Sequence, residues 1–426
     1  MTNSINRNDR GKAFFVAALG LIVMVFCTGF NTTSLAILLP SWSEEMGFTT
    51  AQYGLLAGAI AMGVVWTVWL TGILLDRFSP KNMMAIFIAI SGISTFARSF
   101  ISDFTTAYIA LFFTGVANAM IIPGCLKMIN AWFDAKMTYK LNGINISGGA
   151  IGYFIGFNGT IPWSEALGGW DRLFQLCGVL IVILAIIYFI FIPNRSEAEG
   201  VMNKALGVDT EGYTLGRKIK EVLSSRQIIL CCLAEFFFAG AILTFSSVGP
   251  LAFTSIWEGL STEDAGFMVS MSNIGSSIGY WVMPFIADKF LKGARKKVMI
   301  PAMIFAAFMY PASAFTGNIL ASCIMINVAG LSLGFALIAA RTLMMEHPDC
   351  AGVKAGISSG LLTELNKIGC VVFPLIFTTL YASSGALTGW IAMFAIGGLG
   401  GAICLALAKD TSRNKLESKA PAEGDM

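Results

Sequence analysis

The sequence predicts an all-α membrane protein of twelve transmembrane helices in two pseudo-symmetric six-helix halves. Three observations carry that prediction. First, the 426 residues are 56% hydrophobic and 12% charged, with mean hydropathy +0.74; soluble domains carry roughly 25% charge. Second, apolar runs of about 20 residues recur, each long enough to cross a hydrocarbon core of roughly 30 Å as a helix. Third, the second half of the chain repeats the first. A barrel is excluded, because its strands show period-2 alternation over about 9–11 residues and no such alternation is present.

The elements follow in order. Run 14–39 comes after the basic stretch Arg7, Arg10 and Lys12. It is too long for a signal-peptide core and lacks a small-residue cleavage site, so it reads as a retained span. Runs 53–75, 83–101, 105–133, 141–162 and 171–193 complete an N-terminal bundle, residues 1–193, with a short cytoplasmic tail. The longest polar stretch, 194–226, reads as a cytoplasmic linker loop. Runs 227–251, 265–287, 298–316, 319–345, 355–381 and 386–408 form the C-terminal bundle, 227–408, and 409–426 is a polar cytoplasmic tail.

The net charge of +3 says little, but its distribution is informative. With the N-terminus inside, most Lys and Arg fall on cytoplasmic segments, the largest groups being 195–226 and 289–297. Arg172 lies outside, with Arg98 near an outer helix end. That bias sets orientation, and an even span count puts both termini in the cytoplasm of an inner (plasma) membrane protein. The nine cysteines lie mostly within spans. They read as small hydrophobes, without disulfide or zinc spacing.

The repeat has an offset of about 212 residues. LLDRF, with Asp76 and Arg77, matches IADKF, with Asp288 and Lys289. Trp69 matches Trp281, and Thr32 and Ser34 match Thr244 and Ser246. The offset then drifts slightly, and Lys127 falls on Arg341. Duplicated membrane bundles commonly bind ligand between their halves near the midplane.

GILLDRFSPKNMM, residues 72–84, resembles the loop 2–3 signature of the major facilitator superfamily, Gly-x-x-x-Asp-Arg/Lys-x-Gly-x-Lys/Arg. Gly72, Asp76, Arg77 and Lys81 fit, and Ser79 stands at the second glycine. The second copy around Asp288 is degenerate. WFDAKMTYKLNG and GGWDRLF also resemble landmarks of the family. The resemblance covers essentially the whole chain. It implies a secondary transporter of major-facilitator type, in which the Asp76 cluster with Asp288 latches one conformation and spans 1, 4, 7 and 10 line a central cavity. A membrane-edge charge cluster is the plainer reading of the same residues.

Glycines at i,i+4 spacing, Gly148/Gly152/Gly156, Gly275/Gly279 and Gly356/Gly360, predict close helix contacts. Charges inside spans cost at least roughly 2.5–3.5 kcal/mol on translocon scales and face protein or water. Five stand out: Lys127, Arg341, Lys367, Glu235 and Glu364. Lys127 and Arg341 lie about 9 Å from a helix end, so snorkelling competes with a cavity role. Lys367 is mid-span, with Glu364 at i−3 as an intrahelical partner or a competitor for ligand. Glu235 is a charge-pair or proton-coupling candidate. These five sum to one excess positive charge, which favours an anion through charge-assisted hydrogen bonds. Asn31 and Thr32 supply neutral contacts, while Phe30, Trp69, Phe236 and Trp281 read as packing or apolar walls.

The expected function is secondary transport of a small organic anion, a carboxylate, by alternating access, as proton symport or anion exchange. The expected partners are that anion, protons or a counter-transported anion, and the bilayer. No nucleic acid, cofactor or metal is expected, and the chain is expected to be a monomer. Export of drugs or cationic metabolites is the alternative, and a transporter-like sensor is the alternative of a different class. An enzyme is not expected. The single histidine, His347, falls in a cytoplasmic turn, and no nucleophile–base pair or nucleotide loop is present.

Overall fold

The computed structural model describes residues 7–133, 135–192, 215–290, 296–345 and 355–409, and among them every regular element is helical. The first span is one continuous helical run in three parts: α1 (Arg7–Val23), a π-helical segment (Met24–Phe30) and α2 (Asn31–Met46). Then come α3 (Thr50–Arg77), α4 (Pro80–Ala97), α5 (Phe104–Trp132), α6 (Ala135–Leu167) and α7 (Trp170–Phe191). The second set is α8 (Leu215–Ser224), α9 (Arg226–Ile256), α10 (Thr262–Phe290), α11 (Lys296–Ser313), α12 (Ile319–Met345), α13 (Ala355–Ser384) and α14 (Ala386–Leu407). Each apolar run thus has its helix. Eight helical segments among the described residues are long and apolar enough to cross a membrane, and two shorter apolar helices, 299–313 and 319–334, accompany them.

Local chemistry sets the helix ends. Thr49 and Gln52 form a reciprocal capping box at the start of α3, and Asp103 and Thr106 form another at α5. Gly47 ends α2 with φ of 67°, a left-handed position that glycine adopts without a Cβ clash. The linker is not wholly irregular. α8 forms within it, because LGRKIKEVLS spaces apolar residues on one face, and Val222 is buried while Leu223 stays exposed.

The chain divides into two compact units. Unit 1 comprises residues up to 207 with 246–254 and 259–270; unit 2 comprises 208–245, 255–258 and 271 onward. Unit 1 has a core of Val16, Leu19, Val23, Met84, Ile88, Met120, Ile121, Ile181 and Tyr188. In unit 2, Phe245, Tyr310, Trp390 and Phe394 pack as one aromatic cluster, with Tyr310 stacked on Phe394 at 4.7 Å.

Three helix crossings recur in both units. Gly29 meets Gly152, as Gly240 meets Gly369. Gly63 meets Gly115, as Gly275 meets the Asn327 carbonyl and Gly330 the Ser272 carbonyl. Gly92 meets Gly178, as Ala307 meets Gly398. At each of these glycines an added Cβ would overlap a neighbouring helix, so the missing side chain is what allows the approach. The duplication seen in sequence is therefore also a duplication of packing. Gly360 departs from the expectation: a Cβ there would meet nothing within 4 Å, so it makes no close seam.

Candidate functional site

Two polar centres lie inside the spans, one in each unit. The centre in unit 1 is built on α4 and the short 3-10 turn, Arg98–Phe100, that follows it. Ser91, Ser94, Thr95 and Arg98 follow one another at i, i+3, i+4 and i+7, which places them on one helical face. Asn31, the first residue of α2, is fully buried against that face. Its amide donates to the Ser91 hydroxyl at 3.1 Å and its carbonyl oxygen accepts from the Thr95 hydroxyl at 3.0 Å. Arg98 is also fully buried. Its Nη1 donates to the backbone carbonyl of Asn31 at 2.9 Å and to Ser34 Oγ at 3.4 Å, and its Nη2 donates to Thr114 Oγ1 at 2.9 Å. The guanidinium carbon lies 5.5 Å from the centre of the Phe174 ring, and Nε has no acceptor. Among the described residues Arg98 has no carboxylate partner.

Asn31 is therefore a structural hub in this conformation, with its amide group engaged at both ends. Thr32, next to it, is half-buried, and its hydroxyl returns to the Thr28 carbonyl of its own helix at 2.7 Å. Phe30 packs beside Trp163 at 6.1 Å, whereas Trp69 is half exposed. Trp281 has its side chain outside the described residues.

Lys127 is half-buried on α5, and its ammonium donates to the carbonyl of Leu75 in the last turn of α3. That carbonyl belongs to the negative end of the helix, where a cation is favoured. The Gly72–Lys81 signature begins in this same turn. Gly72, Asp76 and Arg77 lie in the C-terminal turns of α3, with their side chains outside the described residues. Lys81 sits in the first turn of α4, its ammonium 4.8 Å from the centre of the Phe189 ring. Asp288 lies in α10 and Arg341 in α12, and their side chains are likewise outside the described residues.

The centre in unit 2 joins α9 to α13. Glu235 is buried and accepts from the Asn366 amide at 2.8 Å. Glu364 is buried two residues before Asn366, and Lys367, one residue after it, is half-buried. The buried Cys370 lies within electrostatic reach of both Lys367 and Glu235. Among the described residues, the hydrogen bond that joins the two helices here is the one from Asn366 to Glu235.

Two residues escaped the sequence reading. Arg98 stood at the edge of an apolar run and looked like an interfacial charge; the Ser91–Ser94–Thr95–Arg98 stripe was the signal that could have placed it inside. Asn366, between two charges on α13, carried no signal of its own. Among the described residues no group of three or more His, Cys, Asp or Glu could hold a metal.

A helical bundle that crosses the membrane, with charged groups buried in two repeated units, defines a membrane transport fold. The chain belongs to the Major Facilitator Superfamily, whose family profile matches residues 21–374. Among curated relatives, it is 22% identical to the "Probable galactarate/D-glucarate transporter GudP" of Bacillus subtilis, over 89% of both chains. It is 23% identical to the "D-galactonate transporter" of Escherichia coli O6:H1, over 96% of this chain and 99% of the other. It is also 23% identical to the "Quinolone resistance transporter" of Acinetobacter baumannii, over 78% of each. Among solved structures, a bacterial homolog of the human lysosomal transporter Spinster matches with TM-score 0.72 at 15% identity, over 96% of this chain and 99% of that one. That likeness is one of fold.

Proposed function

We propose that this chain is a secondary transporter of a small organic anion, a carboxylate, working by alternating access in the inner membrane with both termini in the cytoplasm. The observation that carries the reading is the similarity, over most of the chain, to relatives named as sugar-acid transporters. The charges agree with it. Among the described residues, the spans hold the buried or half-buried cations Arg98, Lys127 and Lys367 away from the helix starts, against the two acids Glu235 and Glu364. Lys367 is the primary ligand for the substrate carboxylate, since it is a mid-span cation that is only half-buried. Thr32 and Arg341 are further binding candidates. Glu235, held by Asn366, carries the coupled proton if transport is symport. The Gly72–Asp76–Arg77–Lys81 segment and Asp288 act as the conformational latch. Lys127, tied to the end of α3, supports that latch rather than the ligand.

Uptake of labelled mono- and dicarboxylates and of amines into proteoliposomes, with and without a pH gradient, tests the reading. Saturable carboxylate uptake that Lys367→Ala abolishes is the expected result. Uptake of amines only, unaffected by Lys367→Ala, overturns it.

A further inference from the structure

Arg98 is a fully buried cation inside a membrane span. A guanidinium taken out of water carries a desolvation penalty of several kcal/mol, normally offset by an acid. Here it is held by a backbone carbonyl, two hydroxyls and a ring face, all of them electrically neutral. Such contacts orient the group and satisfy most of its donors. They do not cancel its charge, and Nε has no acceptor.

The position of this charge matters more than its cost. Nη1 reaches the Asn31 carbonyl, at the point where the π-helical segment of the first span returns to α-helix. Thr32 follows directly, so its Cα lies within about 6 Å of that nitrogen by standard peptide dimensions. A π segment displaces the residues after it around the helix axis and is frequent at functional sites. Arg98 therefore lies directly behind Thr32, a polar residue of the first span that is only half-buried. In a surrounding of low dielectric its field is weakly screened.

We infer that Arg98 is a charge-selecting positioning residue: without touching the solute, it holds the π-to-α junction of the first span and gives that wall a positive potential that favours an anion. The inference rests on the organic-anion reading above and adds a determinant on the opposite half of the chain from Lys367. The discrimination it supplies grows with ligand charge. A neutral analogue gains nothing from the field, a monocarboxylate gains once and a dicarboxylate about twice.

The experiment compares wild type, Arg98→Gln, Arg98→Lys and Thr114→Asp in proteoliposomes. The solutes are a dicarboxylate, the matching monocarboxylate and its amide, and thermal unfolding is followed in parallel. Thr114→Asp keeps the guanidinium and its packing but places a carboxylate against Nη2, neutralising the charge. It keeps the inference testable if Arg98→Gln fails to fold. Expected is a KM rise of roughly tenfold for the monocarboxylate and roughly a hundredfold for the dicarboxylate in Arg98→Gln and Thr114→Asp. Arg98→Lys is expected near wild type, with kcat and amide inhibition little changed throughout. Folded variants whose KM values stay at the wild-type level, or rise equally for charged and neutral solutes, would overturn the inference and leave the anion reading intact. Wild-type protein that takes up no carboxylate would sink both.

Discussion

Single side chains decide which intramembrane charges are available to a ligand. Lys127 is the instructive case. Its depth on α5 is compatible with a cavity ligand or with a snorkelling cation, and its partners bear on the distinction. The Leu75 carbonyl accepts from its ammonium, and a cation at a helix C-terminus contributes about 0.3–1 kcal/mol. Lys127→Met should therefore lower the thermal midpoint modestly while KM for substrate is retained, with Lys127→Arg close to wild type. A KM increase without loss of stability would return Lys127 to the ligand site. Glu235 offers a complementary test. Glu235→Gln keeps an oxygen acceptor for Asn366 but cannot titrate. If Glu235 carries the coupled proton, uptake driven by a pH gradient should vanish while exchange without a gradient persists. Retained gradient-driven uptake would remove Glu235 from coupling.

At the scale of elements, the informative features are crossings and caps. Gly152 lies against Val25 and Gly29 so closely that any side chain collides with backbone. Gly152→Val should cost at least the 1–3 kcal/mol typical of overpacking, read as loss of folded protein after detergent extraction. Gly360 has open space, so Gly360→Ala should be tolerated or slightly stabilising, by up to about 1 kcal/mol through helix propensity. Spacing treated these glycines alike; only the neighbouring helix separates them. The cap at Asp103 gives a pH dependence. Its carboxylate accepts from the Thr106 amide, and this hydrogen bond is the main cause of a pKa below the usual aspartate value. A lowered folded-state pKa means the cap contributes above the unfolded pKa and is lost as pH falls through the lowered value. The protection factor of the Thr106 amide, its exchange rate relative to the intrinsic rate at the same pH, should fall on acidification in wild type. In Asp103→Asn, which keeps the acceptor without the titration, that pH dependence should disappear.

For the whole molecule, the positive-inside bias makes a topological prediction. A C-terminal GFP fusion should fluoresce and a C-terminal alkaline phosphatase fusion should be inactive; the reverse pair of results would place the C-terminus outside. Span positions, the two-fold repeat and the membrane class were all legible in the chain. Each follows from a periodic or cumulative property: hydrophobic length, recurrent motifs and summed charge. The bilayer enforces these regardless of how helices pack, because every backbone polar group inside it must be bonded within its own element. Partnership was not legible in the same way. The contacts of Asn31 with Ser91, Thr95 and Arg98 left no trace in its local sequence. Arg98 looked interfacial and is buried. Whether a polar side chain faces a neighbour or is free for a solute depends on which helices cross and how closely. That is set by contacts between residues far apart in the chain, such as Gly29 with Gly152 and Glu235 with Asn366, and local spacing carries no record of them. The sequence by itself determined the membrane fold and its repeat; the tertiary structure decided which charges are already engaged, because engagement is a matter of distance between helices.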